Sequence, residues 1–341
     1  MMSQLSAIVP DLLPGWRSFS VEGITVLDSD EESESNKPLV VMLHGFPDNV
    51  FYFYKVAPLL AKSGYRIIIP ALPGYEISSS TGKLSDKSVP VLAIYMEQVI
   101  AKVVGDRRFH LIGHDWGAAI AEVIAMRKPK AILTLTMSAV PSRFQEGALK
   151  YPQQFSLSWY FFFFQMPFFP EYWFNHLGGL EYLWNSWSPK LDVAKVHPEF
   201  WKSVKLAFLQ QGVASEALGY YRQNIAYGNP AVRMLAPLVF ILGWLIGKVK
   251  SFGTTINSSD VLRKPATGAK LLQVPVLGLC GEFDGCIMPQ LYKYLHGNDL
   301  YFPKGSVLHE IKGAGHFSFL EKPDEIANVL LRFFSNKTSS L

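Results

Sequence analysis

Cysteine and charge are both scarce in this sequence. Of 341 residues only 18% are charged, the net charge at neutral pH is +4, and no basic cluster is interleaved with aromatics. Such a chain offers no electrostatic footprint for nucleic acid. The two cysteines, Cys280 and Cys286, are six residues apart. That spacing is neither a metal site nor a redox Cys-x-x-Cys, and it builds no disulfide framework. A reducing compartment, the cytoplasm, is therefore the expected location. The first sixteen residues lack a basic start, and Pro10, Asp11 and Pro14 interrupt their apolar positions, so they make a poor signal peptide. The sequence also lacks an apolar run long enough to span a bilayer. Its longest, Met234 to Gly247 between Arg233 and Lys248, has fourteen residues. As a helix it would reach about 21 Å, against a hydrocarbon core of roughly 30 Å. It reads as a buried helix or as a patch dipping into a membrane surface. Ser339-Ser340-Leu341 only loosely echoes a peroxisomal signal. Two glycosylation patterns, at Asn257 and Asn336, mean little without a secretory signal. Internal repeats and low-complexity linkers are missing too.

What the chain has is hydrophobic mass, at 49% of residues, and aromatics, at 14%, concentrated between Phe155 and Trp201. Its length suits one large domain, or a domain carrying an insertion. Trp16 to Asp28 reads as two short strands about Glu22-Gly23. Pro38 to Leu43, Tyr65 to Pro70, Phe109 to Ile112 and Ala131 to Met137 are continuous apolar runs, as in strands buried on both faces. Helical patterns cover Phe51 to Lys62, Val89 to Val104 and Ala118 to Met126. Strands alternating with helices predict a mostly parallel sheet covered on both sides. From 143 to about 265 the rhythm stops, and helical spacings, aromatics and prolines take over. It resumes with strands at Val274 to Cys280 and Val307 to Ile311 and helices near Pro289 to Leu295 and Asp324 to Phe334. A helical insertion therefore interrupts an α/β sheet, with 1–142 plus 266–341 as the core and 143–265 as the cap.

Gly113-His114-Asp115-Trp116-Gly117 lies between a strand and a helix. Gly-x-Nuc-x-Gly in that setting is a nucleophile elbow, a strained turn that lifts one side chain at the carboxyl end of a sheet. Taken alone it could equally be a glycine-bounded helix start with an acidic first turn. Two further groups follow strand ends: Asp284 in Gly281-Glu282-Phe283-Asp284, and His316 in Gly313-Ala314-Gly315-His316-Phe317. Alone, one is a turn aspartate and the other a structural imidazole. Together, in the order nucleophile, acid, histidine, they predict a triad at one sheet edge. After the strand ending at Leu43, His44-Gly45-Phe46-Pro47 offers the N–H of Phe46 to pair with that of Trp116 as an oxyanion hole. Pro47 would fix the turn in a cis or trans form.

The segments HGFPD, GHDWGA, GEFD and GAGHF resemble those of the epoxide hydrolases of the α/β-hydrolase fold, the soluble and plant-type group, from about residue 15 to 335. The resemblance implies a mostly parallel central sheet with an inserted helical cap, and no metal or cofactor. It implies Asp115 as nucleophile, with Asp284 and His316 completing the triad. It also implies two cap tyrosines whose hydroxyls hold the epoxide oxygen. Tyr160, five residues before Gln165-Met166-Pro167, matches the first. Tyr221, before Arg222, matches the second, with Tyr220 one residue away. Both tyrosines could instead be ordinary core aromatics. His44, Pro47, Phe161, Phe164 and Phe317 are expected to line the pocket. Glu76 departs from the family's usual Gly after Gly74-Tyr75. The implied substrate is a small apolar epoxide, with water as co-substrate, and the protein a monomer or homodimer. Haloalkane dehalogenases share the same motifs. Phe46 stands where they often carry Asn, while the cap tryptophans leave their other halide-binding form open. A non-catalytic binder of hydrophobic ligands on the same scaffold is a third reading, weakened because no triad member is missing.

Liposome partitioning tests the apolar run at 234–247. If it dips into a membrane surface, Leu242→Asp partitions less than the unmodified chain. Equal partitioning supports the buried helix.

Overall fold

The computed structural model describes residues 8–30, 36–75, 84–151, 153–193, 196–210, 212–224, 271–296 and 300–338. Eight strands form one sheet in the order β1-β2-β4-β3-β5-β6-β7-β8. They are β1 (Arg17–Val21), β2 (Ile24–Asp28), β3 (Leu39–Leu43), β4 (Arg66–Pro70), β5 (Phe109–His114), β6 (Ile132–Ser138), β7 (Val276–Gly281) and β8 (Ser306–Ile311). β1 and β2 are an antiparallel hairpin, and β2 pairs antiparallel with β4. Its two-residue turn is Glu22-Gly23, with φ of 53° and 78°, the positive values a tight hairpin turn requires. From β4 to β8 every pairing is parallel. β2, β3, β4, β5 and β7 are buried along their full length, as continuous apolar runs predict for a sheet covered on both faces.

The covering helices include α1 (Ala57–Lys62), α2 (Val89–Val104) and α3 (Trp116–Arg127). The pattern from Phe51 to Lys62 predicts one helix, but the chain makes a 3₁₀ turn at Val50–Phe53 and then α1. Asn49 caps the turn through the N–H of Phe51, and Pro58, which has no N–H to donate, is tolerated only in the first turn of the new helix. Between β6 and β7 the described chain is helical: α4 (Phe144–Lys150), α5 (Gln154–Leu157), α6 (Trp159–Phe163), α7 (Phe169–His176), α8 (Gly179–Trp187), α9 (Pro198–Leu209) and α10 (Val213–Asn224). The last helices are α11 (Pro289–His296), α12 (Ser318–Glu321) and α13 (Pro323–Thr338). Glu76, Asn257 and the run at 234–247 lie outside the described residues. Among those described, no helix is long and apolar enough to cross a membrane.

Because the parallel strands share one direction, their carboxyl ends share one edge. Phe46 follows β3, Asp115 follows β5, Asp284 follows β7 and His316 follows β8. Four residues separated by up to 270 positions are gathered by topology alone.

His110 of β5 gives the buried sheet a pH dependence. Its Nδ1 is 2.8 Å from Thr134 Oγ1, and its ring stacks on Phe334 with centroids 4.0 Å apart. Burial, then the charge of Arg108, lowers its pKa from 6.5 to about 4. The unfolded chain therefore binds more protons between those values, and this group's share of stability is lost as pH falls from 6.5 to 4. In that window His110→Asn flattens the pH dependence of the urea unfolding free energy by about 1.4 kcal/mol per pH unit. Parallel curves for the two proteins would refute it.

Candidate active site

Asp115 sits between β5 and α3 with φ 52° and ψ −120°, a conformation that side chains other than glycine seldom adopt. The turn leaves no room for a side chain at either glycine. A Cβ on Gly113 would lie 2.3 Å from the carbonyl oxygen of Gly117, and one on Gly117 would lie 2.2 Å from that of Leu43. α3 is thus pressed against the end of β3. This brings Asp115 Oδ1 within 2.8 Å of the Phe46 N–H, which donates to it. The Trp116 N–H is directed at the same carboxylate. The Phe46–Pro47 peptide bond is cis.

Asp284 and His316 complete the group. The N–H groups of Cys286 and Ile287 donate to Asp284 Oδ1 at 2.7 and 3.0 Å. His316 Nδ1 lies 3.2 and 3.1 Å from the two carboxylate oxygens. Its Nε2, buried and without a hydrogen-bond partner among the described residues, lies 3.9 Å from Asp115 Oδ2. The backbone around it is held in turn. The N–H of His316 donates to the Trp187 carbonyl at 3.0 Å, and the N–H of Gly315 to Glu321 Oε2 at 2.9 Å.

The electrostatics follow from enclosure. Burial raises the pKa of Asp115, opposed by the charges of His316 and His114 and by the two N–H groups. Burial alone would lower that of His316, but the adjoining Asp284 carboxylate outweighs it and raises it well above the usual value. Burial also raises Tyr160 and Tyr221 well above the ordinary phenol range. Both are neutral donors at any physiological pH.

A cavity of about 650 Å³ is lined by Asp115, Trp116, Tyr160, Phe161 and Tyr221 among others. The Tyr221 hydroxyl is buried with no acceptor among the described residues, and the Trp116 indole N–H is directed at it. The Tyr160 hydroxyl lies 2.9 Å from Cys286 Sγ. Tyr220, one position away, donates to the Pro73 carbonyl at 2.7 Å and belongs to the scaffold. Phe161 lines the cavity, but the other four residues expected there do not. His44 Nε2 accepts from the Leu72 N–H at 3.0 Å and its Nδ1 lies 3.0 Å from Asp48; both nitrogens are used in fixing the turn. The Pro47 carbonyl accepts from Trp184 Nε1 at 3.1 Å. Phe164 packs edge-on against Phe46 and Tyr221, and Phe317 stacks on Trp184 with centroids 3.7 Å apart. These residues pack behind the wall and set its position.

Cys286 is the residue that motif reading passes over. It touches Tyr160 through its thiol and Asp284 through its N–H, and no spacing in the sequence signals the contact with Tyr160, 126 positions away. The donor atoms of Asp284, Cys286 and His316 lie within 4.8 Å of one another. Burial pushes the thiol to about 11, so it holds its proton and is a poor metal ligand.

The family model of the alpha/beta hydrolase fold matches residues 38–323. The chain belongs to the alpha/beta hydrolase fold family. Within it, the chain is 32% identical to mouse Epoxide hydrolase 4 over 217 residues, which are 62% of this chain and 60% of that protein. The match therefore spans three-fifths of the mouse relative. It is 28% identical to Epoxide hydrolase 3 of Siraitia grosvenorii over 316 residues, 88% of this chain and 92% of that one. The inhibitor-bound crystal structure of a Bacillus megaterium epoxide hydrolase superposes with a TM-score of 0.69 at 22% identity, covering 94% of this chain and all of that one.

The elbow of this alpha/beta hydrolase makes a direct prediction. Gly117→Ala must separate α3 from β3 to seat one methyl group. It costs about 3 kcal/mol in urea unfolding and displaces Asp115 from the Phe46 N–H. A variant as stable as the unmodified protein would show that the contact yields.

Proposed function

We propose that this alpha/beta hydrolase is an epoxide hydrolase that converts apolar epoxides to vicinal diols through an ester on Asp115. One observation carries the reading: a carboxylate at the elbow shares an apolar cavity with two buried, neutral phenols. A carboxylate nucleophile attacks an sp³ carbon and is left as an alkyl ester. An alkoxide is a poor leaving group, so ring opening needs proton donors, which Tyr160 and Tyr221 supply from the helices of 143–265 acting as the cap.

Ester formation removes the charge of Asp115. His316 then stands beside one carboxylate instead of two, its proton is held less tightly, and that proton goes to the phenolate left by ring opening. Neutral His316, oriented by Asp284, accepts a proton from water as the water attacks the Asp115 carboxyl carbon. The oxyanion forms on Asp115 itself. The Phe46 and Trp116 N–H groups, already directed at that carboxylate, stabilise it; such donors are each worth about 10²–10³ in rate. Collapse releases the diol and restores the carboxylate. The phenyl rings around the cavity favour an apolar, lipid-like substrate.

A second reading rests on the indole N–H of Trp116, which lines the cavity and is directed at the Tyr221 hydroxyl, and on that of Trp187, buried without a partner among the described residues. Two such donors suit a departing halide, which would make the enzyme a haloalkane dehalogenase on the same triad.

Incubating His316→Gln with an epoxide should trap an adduct on Asp115 with the mass of the intact substrate, and Asp115→Asn should gain none. Tyr160→Phe and Tyr221→Phe each lower the epoxide kcat by about 10²-fold. A protein that never takes up that mass is not this enzyme. Halide release from bromoalkanes, with no diol from epoxides, would select the second reading.

A further inference from the structure

We propose that the active-site cavity has a second polar pole, built from Glu122, Ser142 and Arg143, that binds a neutral hydroxyl at the far end of the substrate. The proposal rests on the epoxide hydrolase reading for the near end and names the substrate class: an epoxide on an apolar chain that ends in a hydroxyl.

The placement follows from α3. Asp115 caps α3, Ala119 and Glu122 lie three apart on one face of it, and all three line the cavity. Seven residues of helix put Glu122 about 10 Å from Asp115 along the axis. The turn after β6 lies beside it, Ser142 being hydrogen-bonded to Glu122, and supplies Val140, Pro141 and Arg143 to the same cavity. That turn is strained at both ends. Ala139 and Arg143 have φ of 63° and 55°, left-handed values that cost non-glycine residues energy and are held by their surroundings at functional sites.

Polar groups elsewhere on the wall are committed. The Gln154 amide donates to Ser158 Oγ and the Cys286 carbonyl and accepts from the Met288 N–H. The Asn224 amide donates to the carbonyls of Lys87 and Tyr220 and accepts from the Val89 N–H. The second pole keeps open valences. The Ser142 hydroxyl donates to Glu122 Oε1, leaving Oε2 without a described partner. Arg143 Nε is buried and unpartnered among the described residues. Glu122 is enclosed by protein yet faces the cavity, and burial pushes its carboxyl to about 7.

The charges select the ligand. Arg143 is ion-paired with Glu146 and lies 4.0 Å over the Tyr301 ring. Its positive charge is neutralised locally, and Glu122 adds negative character, so a substrate carboxylate gains nothing here. A hydroxyl satisfies both sides: it donates to Glu122 and accepts from Arg143 Nε–H. A hydrogen bond to a charged partner of this kind corresponds to about tenfold in affinity.

The experiment uses 1,2-epoxyalkanes of graded length, each plain, ω-hydroxylated or ω-carboxylated. Calorimetry on Asp115→Asn measures binding without turnover, and the wild type gives KM and kcat. The hydroxylated series should bind about tenfold tighter than the plain one, with the advantage confined to chains long enough to span the two poles. Glu122→Leu and Glu122→Gln, each checked for folding by its melting temperature, should bring that ratio towards one. Equal binding of plain and hydroxylated chains, a preference for the carboxylates, or a preference unchanged in folded Glu122 variants would overturn the proposal. If Asp115→Asn shows the length-dependent preference while the wild type forms no diol, the pole stands and the epoxide reading falls.

Discussion

Three backbone segments meet at Gly117 with no room for another carbon. The carbonyls of Leu43 and His44 would lie 2.2 and 2.4 Å from a Cβ there. This contact fixes how deeply α3 seats against β3, and everything catalytic is measured from it. It sets the distance from the Phe46 N–H to Asp115 Oδ1 and holds Asp115 at a positive φ. It also makes the α3 face from Asp115 to Glu122 a wall of the cavity. The strain at Asp115 persists because β3, β5 and β6 over-determine it; its own N–H is bonded to the Ser138 carbonyl at 3.0 Å.

The same compression creates an electrostatic problem that the surrounding groups resolve. A carboxylate in an apolar cavity is pushed toward its neutral form, which cannot attack carbon. Two N–H groups and the imidazolium of His316 oppose that shift. Asp284 holds His316 charged, and two N–H groups in turn hold Asp284. Charge therefore alternates from Asp284 through His316 to Asp115. In the proposed reaction, alkylation neutralises Asp115 and disturbs the whole series, so the step that forms the ester would also prepare the base that hydrolyses it.

Much of this was legible in the sequence, for a physical reason. Strands buried on both faces are written as apolar runs, and the elbow as two glycines about Asp115, because each is a local steric demand. The order Asp115, Asp284, His316 could be read because a parallel sheet puts strand ends on one edge. What could not be read were the contacts made across the chain. Cys286 meets Tyr160 from 126 positions away. The Trp187 carbonyl accepts from both Gly285 and His316, at 3.0 Å each, and so ties the helical segment to the two loops of the triad. His44 looked like a pocket residue because it stands beside Phe46. It turns inward because Leu72 and Asp48, which take its two nitrogens, were not visible as neighbours.

These long-range contacts also make the two phenols unequal, which their similar sequence settings conceal. The Tyr221 hydroxyl has no acceptor to give up before it meets a substrate, since the Trp116 indole directed at it can only donate, so binding relieves a buried unsatisfied donor. The Tyr160 hydroxyl is already engaged with a thiol that keeps its proton. If the thiol donates, the Tyr160 proton stays directed away from sulfur, and the S–H···O contact strengthens as the phenol gives that proton up. In the proposed reaction Tyr221 is then suited to anchoring the epoxide oxygen and Tyr160 to protonating it. That proposed division of labour would follow from one cysteine in the turn after Asp284.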